Sequence, residues 1–180
     1  MPRLILINGA PGTGKSTIAH RLAQDRRLAL ALDLDVLKHS LGQWDADMTA
    51  AGYHARLLAL AVIATQLDSG HDVHVGQFLA KTEFIDQLES AAQRHGATFV
   101  EVILTADVAT LQRRLAQRAL RPERSEHLIN ASIVSADDVP ALVDAIDRVA
   151  RLRPSATLVD ASGELDETVD RVRRVLAVDR

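Results

Sequence analysis

Apolar residues fall into short unbroken runs that alternate with longer stretches of helical period. Leu4–Ile7, Leu28–Leu32, Asp72–Leu79, Thr98–Leu104 and Thr157–Val159 read as strands, the first and second as continuous apolar runs of the kind buried on both faces. Between them, Lys15–Arg26 places Ile18, Ala19, Leu22 and Ala23 on one helical face. Tyr53–Leu67 is Ala/Leu-rich and apolar on most sides, so the pattern predicts a largely buried helix. Thr82–His95 is amphipathic and closed by Gly96, and Val108–Arg118 is helical and basic. Residues 119–130, with Pro122, read as a charged loop containing a short helix. A further helix begins at Asp137-Asp138 and ends near Arg153-Pro154, and a last one runs from Leu165 to Ala177. Five strands joined by helical crossovers predict an α/β fold, three layers deep, with a parallel sheet covered on both faces. No repeat, linker or low-complexity tract divides the 180 residues, so a single domain over 1–180 is expected.

Residues 9–16 read Gly9-Ala10-Pro11-Gly12-Thr13-Gly14-Lys15-Ser16, the P-loop pattern, placed between a predicted strand and a predicted helix. A triphosphate needs many donors converging on a small anionic surface. Glycines let backbone N–H groups turn inward, and the helix that opens at the loop aims its free N–H groups and dipole at the phosphates. Lys15 adds a charge at the β- and γ-phosphates, the Ser16 hydroxyl is placed to ligate Mg²⁺, and Thr17 follows in the same turn. With nine glycines and three lysines in the chain, chance supplies this pattern about 0.001 times per sequence of this composition. The cofactors expected are ATP and Mg²⁺.

The second strand ends in Leu32-Asp33-Leu34-Asp35. Ligands of open parallel sheets gather at the carboxyl ends of strands, and in an extended chain the two aspartates share a side. One carboxylate can hold a metal-bound water and the other can take a proton from an attacking hydroxyl. Equally, Asp33 can end the strand and Asp35 can cap a following helix.

Three features together give a resemblance: Leu6 to Ser16, the Asp-x-Asp, and Leu111-Gln112-Arg113-Arg114-Leu115-Ala116-Gln117-Arg118 followed by Arg121 and Arg124. The whole chain resembles the small P-loop kinases, the group that includes shikimate and gluconate kinases, chloramphenicol phosphotransferase and the zeta toxins. The resemblance implies a nucleoside-monophosphate-kinase-like fold with a lid at about 119–130. It implies that Asp33 is the metal-side carboxylate and Asp35 the acceptor-side base. Arg114 would stack on the base, Arg118 would reach the transferring phosphate, and Arg121 and Arg124 would belong to the lid. By the same resemblance, acceptor binding falls in about 36–56. That segment holds Lys38, His39, Trp44, Asp45, Tyr53, His54 and Arg56. Trp44 and Tyr53, the only tryptophan and tyrosine, either form a stacking surface or plug gaps in the core. Arg56 either binds an anionic acceptor or lies on a helix face. Asp160–Gly163 passes near the adenine in such kinases.

The third strand reads Val73-His74-Val75-Gly76-Gln77-Phe78, with no acid at its end. That weakens a motor-type ATPase and suits a kinase that uses Asp33 for the metal, with Gly76 and Gln77 lining the acceptor pocket. His71 and His74 have neither the spacing nor a third ligand for a metal site and read as surface or packing residues.

Composition narrows the partners. The formal charge is -3, which disfavours a general nucleic-acid coat. With no cysteine, disulfides and thiolate chemistry are excluded. No run approaches about 20 unbroken apolar residues, so neither a membrane span nor a membrane partner is expected, and the cytoplasm is the expected location. The reading is therefore an ATP-dependent phosphotransferase acting on a small-molecule hydroxyl. Its alternatives are a zeta-toxin-like or polynucleotide kinase, or a nucleotide-dependent regulatory ATPase. The sequence specifies neither the acceptor nor an oligomeric state.

Overall fold

The computed structural model describes residues 1–120 and 135–178, and of Ala119, Leu120 and Val178 the backbone alone. Arg121, Arg124 and nearly all of the expected lid lie outside the described residues.

Five strands, β1 (Arg3–Gly9), β2 (Leu30–Leu32), β3 (Val73–Gly76), β4 (Thr98–Thr105) and β5 (Thr157–Asp160), form one parallel sheet in the order β2-β3-β1-β4-β5. The helices are α1 (Lys15–Gln24), α2 (Leu34–His39), α3 (Met48–Asp68), α4 (Glu83–Arg94), α5 (Val108–Leu120), α6 (Val139–Leu152) and α7 (Leu165–Val178). A 3₁₀ turn at Ala136–Asp138, closed by a Ser135–Asp138 capping box, leads into α6 where the sequence predicted the helix itself to begin.

Strand alternation divides the core. Leu4 and Leu6 of β1 join Val73, Val75 and Ile103 beneath α3, α4, α5 and α6. Ile5 and Ile7 join Val100, Val102 and Leu104 beneath α1 and α7. Both faces of β1 are thus covered, which is why its sequence is a continuous apolar run.

Several expectations need correction. The strand expected at Leu28–Leu32 begins at Leu30, because Leu28 takes a left-handed conformation (φ 57°) in the preceding turn. The strand expected at Asp72–Leu79 is only Val73–Gly76. Beyond it, Leu79 is drawn aside by hydrogen bonds to Asn8. The long helix runs from Met48, capped by Asp47, to Asp68, and it is not largely buried. Only the stripe Ala51, Ala55, Ala59, Ile63 and Leu67 is buried, while Tyr53, Leu57, Leu58 and Val62 are exposed. The uniform apolarity of this segment hid a one-sided burial. In length and mean hydropathy α3 reaches the range of a membrane span, although His54 and Arg56 interrupt its apolar run, and its inner stripe is one of the layers covering this sheet.

Candidate functional site

The phosphate loop joins β1 to α1 at the carboxyl edge of the sheet. Gly14 stands at the N-cap of α1 with φ 86°, a left-handed backbone that suits glycine. Among the described residues no side chain caps the helix, so its first N–H groups are placed to meet an anion. Thr13 Oγ1 donates to the Ala10 carbonyl at 2.9 Å and holds the turn closed.

The loop's position is fixed from three sides. Asn8, fully buried, accepts from the N–H of Gly9 (2.8 Å) and of Leu79 (2.9 Å) and donates to the Leu79 carbonyl (3.1 Å). It locks the start of the loop to the segment after β3. Gly76 forms the second support: a Cβ there would lie 2.8 Å from the Lys15 carbonyl oxygen and 2.9 Å from Ser16 Cα. The first turn of α1 packs directly on the β3 backbone, and Ser16 Oγ donates to the Gly76 carbonyl at 3.4 Å. Where many P-loop enzymes carry an acid, this chain needs the absence of any side chain.

Arg114 of α5 forms the third support. Its guanidinium donates to the carbonyls of Ala161 (2.7 Å), Ser162 (3.2 Å) and Gly163 (2.5 Å), and more weakly to Gly12 (3.4 Å). It cross-links the phosphate loop to the β5–α7 turn, which is where the resemblance placed the adenine. Asp160 accepts from the Ser162 N–H and shapes the same turn.

The ionisable residues converge on Lys15. Its half-buried position and the neighbouring Arg118 lower the ammonium to about 8, against the pull of Asp35 and Asp33. Burial also lowers Arg118. Lys15 therefore feels the charges of Asp33, Asp35 and Arg118, which come from two other places in the sequence.

Asp33 and Asp35 do not lie on one extended strand. The chain turns into α2 at Leu34, so Asp33 is the N-cap, accepting the Asp35 N–H at 2.9 Å, and Asp35 is in the first turn. The capping residue is Asp33, not Asp35. One Asp33 oxygen is used in the cap and the other has no protein donor among the described residues. The Asp33 carboxylate and the Ser16 hydroxyl are both hard oxygen donors of the kind Mg²⁺ takes alongside phosphate and water. Among the described residues, no three His, Asp or Glu side chains cluster to hold a metal by themselves. These donors fit a cation shared with bound phosphate.

In the segment 36–56, Lys38 Nζ lies 3.4 Å from Asp35 Oδ1 and 5.6 Å from the Trp44 ring centroid. Trp44 packs on His39 at 4.4 Å between ring centroids. It does not pair with Tyr53, which is 65% exposed on α3 and neither stacks on it nor fills the core. Arg56 lies over the Phe84 ring at 5.4 Å, in the first turn of α4. Gln77 donates its N–H to the Ile7 carbonyl, continuing the β3 direction past Gly76.

His74 points the opposite way, into the α1 and α7 face. It is 1% exposed, and burial lowers its imidazole to about 4, so it packs as a neutral ring. Sequence reasoning assigned no role to Asn8. A buried amide closing an otherwise apolar strand was the available signal. Gly76, expected beside the acceptor pocket, also packs under α1.

Residues 4–139, most of the chain, match AAA_33, described as an AAA domain. The chain belongs to this family. No curated protein matches it. Solved structures share the fold of this AAA_33 protein at low identity. A gluconokinase from Sinorhizobium meliloti 1021 superposes with a TM-score of 0.62 at 18% identity, covering 99% of this chain and 97% of that one. A tunicamycin resistance protein from Deinococcus radiodurans gives 0.60 at 14%, covering 98% and 96%. A chain of the Pnkp1/Rnl/Hen1 RNA repair complex gives 0.66 at 15%, covering 84% of this chain and 46% of that one. The fold is that of the small P-loop kinases.

Proposed function

We propose that this AAA_33 protein is an ATP-dependent phosphotransferase that moves the γ-phosphate to a hydroxyl of a small molecule. The observation that carries the reading is the phosphate-loop geometry, with left-handed Gly14 opening α1, Lys15 and Ser16 in its first turn packed on Gly76, and Asp33 and Asp35 at the end of β2. The loop N–H groups and Lys15 bind the phosphates, and Arg118 neutralises charge that shifts outward as the phosphoryl group leaves. Ser16 and Asp33 would hold Mg²⁺, which when bound offsets charge on the phosphate oxygens. Asp35 takes the proton of the attacking hydroxyl. Arg114 holds the β5–α7 turn against the loop and so sets the distance between base and phosphate subsites. The chain is one kinase domain, with the lid at about 119–130 and acceptor binding at about 36–56.

A small acceptor is favoured over a nucleic acid by the net charge of -3. The test is a transfer screen. Purified protein, Mg²⁺ and γ-labelled ATP are mixed with pools of metabolites, nucleosides and antibiotics and with RNA oligonucleotides, with Lys15→Ala as control. A labelled small molecule absent from the control supports the reading. Labelled RNA moves it to a polynucleotide kinase, and hydrolysis without any labelled product moves it to a regulatory ATPase.

A further inference from the structure

The acceptor side carries a cation that phosphate binding does not use. Lys38 sits 3.4 Å from the carboxylate assigned as base and under the only tryptophan of the chain, with 17% of its side chain exposed. An i, i+3 ion pair on a solvated helix is ordinary, and such pairs hold their partners weakly. Here the ammonium is also fixed by an aromatic ring that comes from outside α2, and that ring is itself backed by His39. An ammonium has three N–H donors, and Asp35 is its only carboxylate partner among the described residues. Spare donors therefore remain beside the base.

The charge around it gives those donors a use. Asp33, Asp35 and a bound triphosphate would together repel an anionic acceptor, so such an acceptor needs a local cation. Lys38 supplies one at the base. Arg56, over the Phe84 ring, has no ion pair among the described residues. A neutral acceptor would gain nothing from an ammonium that shares the lone pairs of its base.

We propose that the acceptor is a hydroxyl compound that also bears an anionic group, carboxylate or phosphate, and that Lys38 selects it by bridging that group to Asp35. The inference rests on the kinase reading with Asp35 as base. In the transfer, the acceptor oxygen forms a bond to the γ-phosphorus while the bond to the β–γ bridging oxygen breaks. ADP leaves with that electron pair, and the hydroxyl proton passes to Asp35.

The transfer screen gives the first answer: its product derives from an acid or a phosphorylated compound, the two arms telling one anion from the other. That acceptor is then compared with its neutral analogue, the amide or the dephosphorylated form. The wild type favours the anionic member at least about 10-fold in kcat/KM. Lys38→Met erases most of that preference through a higher KM, with ATP affinity kept, and Lys38→Arg restores part of it. ATP binding by each variant shows that it has folded. A neutral acceptor from the screen, or an anionic preference that survives in Lys38→Met, overturns the proposal and leaves the kinase reading standing. Transfer to no small molecule overturns both.

Discussion

Lys15 is a group that the fold holds at a cost. Half-burial and Arg118 bring its ammonium from 10.5 to about 8, so the unfolded chain binds this proton more tightly than the folded one. Such a lysine penalises folding fully below the folded value, and stability recovers as pH rises between about 8 and 10.5. The interval corresponds to about 3 kcal/mol at pH 7. Lys15→Met keeps length and packing while removing the charge. The variant, free of nucleotide, is expected to be more stable than the wild type at pH 7 by about 1–3 kcal/mol, which for a chain of this size raises Tm by roughly 3–10 °C. The assay is thermal unfolding by circular dichroism at pH 7, 8.5 and 10. The advantage of the variant shrinks at each step, because the wild-type lysine loses its proton. Excess ATP and Mg²⁺ then raise the wild-type Tm more than that of the variant, since the phosphates supply the counter-charge that the Lys15 ammonium lacks in the free protein. A Lys15→Met variant that is less stable than wild type at pH 7, or a difference that does not vary with pH, would refute the reasoning.

Two further perturbations address the scaffold of the site. Arg114→Ala removes two short and two longer charge-assisted hydrogen bonds between the phosphate loop and the β5–α7 turn. It is expected to destabilise the nucleotide-free protein by about 2 kcal/mol and to weaken ATP binding, with Arg114→Lys recovering less than half, since one ammonium cannot span carbonyls on both segments. Calorimetry with and without nucleotide checks both effects, and loss confined to the nucleotide-bound state would point to base stacking alone. Gly76→Ala places a methyl 2.8 Å from the Lys15 carbonyl oxygen, backbone against backbone, so α1 must shift. A cost of about 1–3 kcal/mol and at least a tenfold loss of ATP affinity are expected from unfolding and titration experiments.

The layers of the fold and the phosphate loop were legible because each is written locally. Leu4–Ile7 can only be a buried strand, and the glycines around Lys15 have a spacing that a turn onto a helix requires. What failed was whatever depended on a partner distant in sequence. The apolar outer face of α3 gives no hint of which side meets the sheet, since Leu57 and Ile63 look alike until β1 and β3 are in place. Nearness in the chain left Trp44 and Tyr53 as either a stacking surface or core plugs, whereas α2 brings His39 and Lys38 to the indole and leaves Tyr53 exposed. The Asp-x-Asp fits either an extended pair or a strand end followed by a helix, and only the short α2 that begins between its two aspartates shows that the cap is Asp33. Arg114 could be named as a site residue from its helix but not as a clamp, because its four acceptors lie at Gly12 and at Ala161–Gly163.

The most direct measurement is single-turnover transfer by Asp35→Asn beside the wild type, with the acceptor that the screen returns and with ATP affinity measured on the same samples. The account predicts transfer slowed by roughly 10²–10⁴-fold with ATP affinity within about threefold of wild type, as expected when a general base is removed from an intact phosphate site. Transfer at the wild-type rate in Asp35→Asn would contradict it.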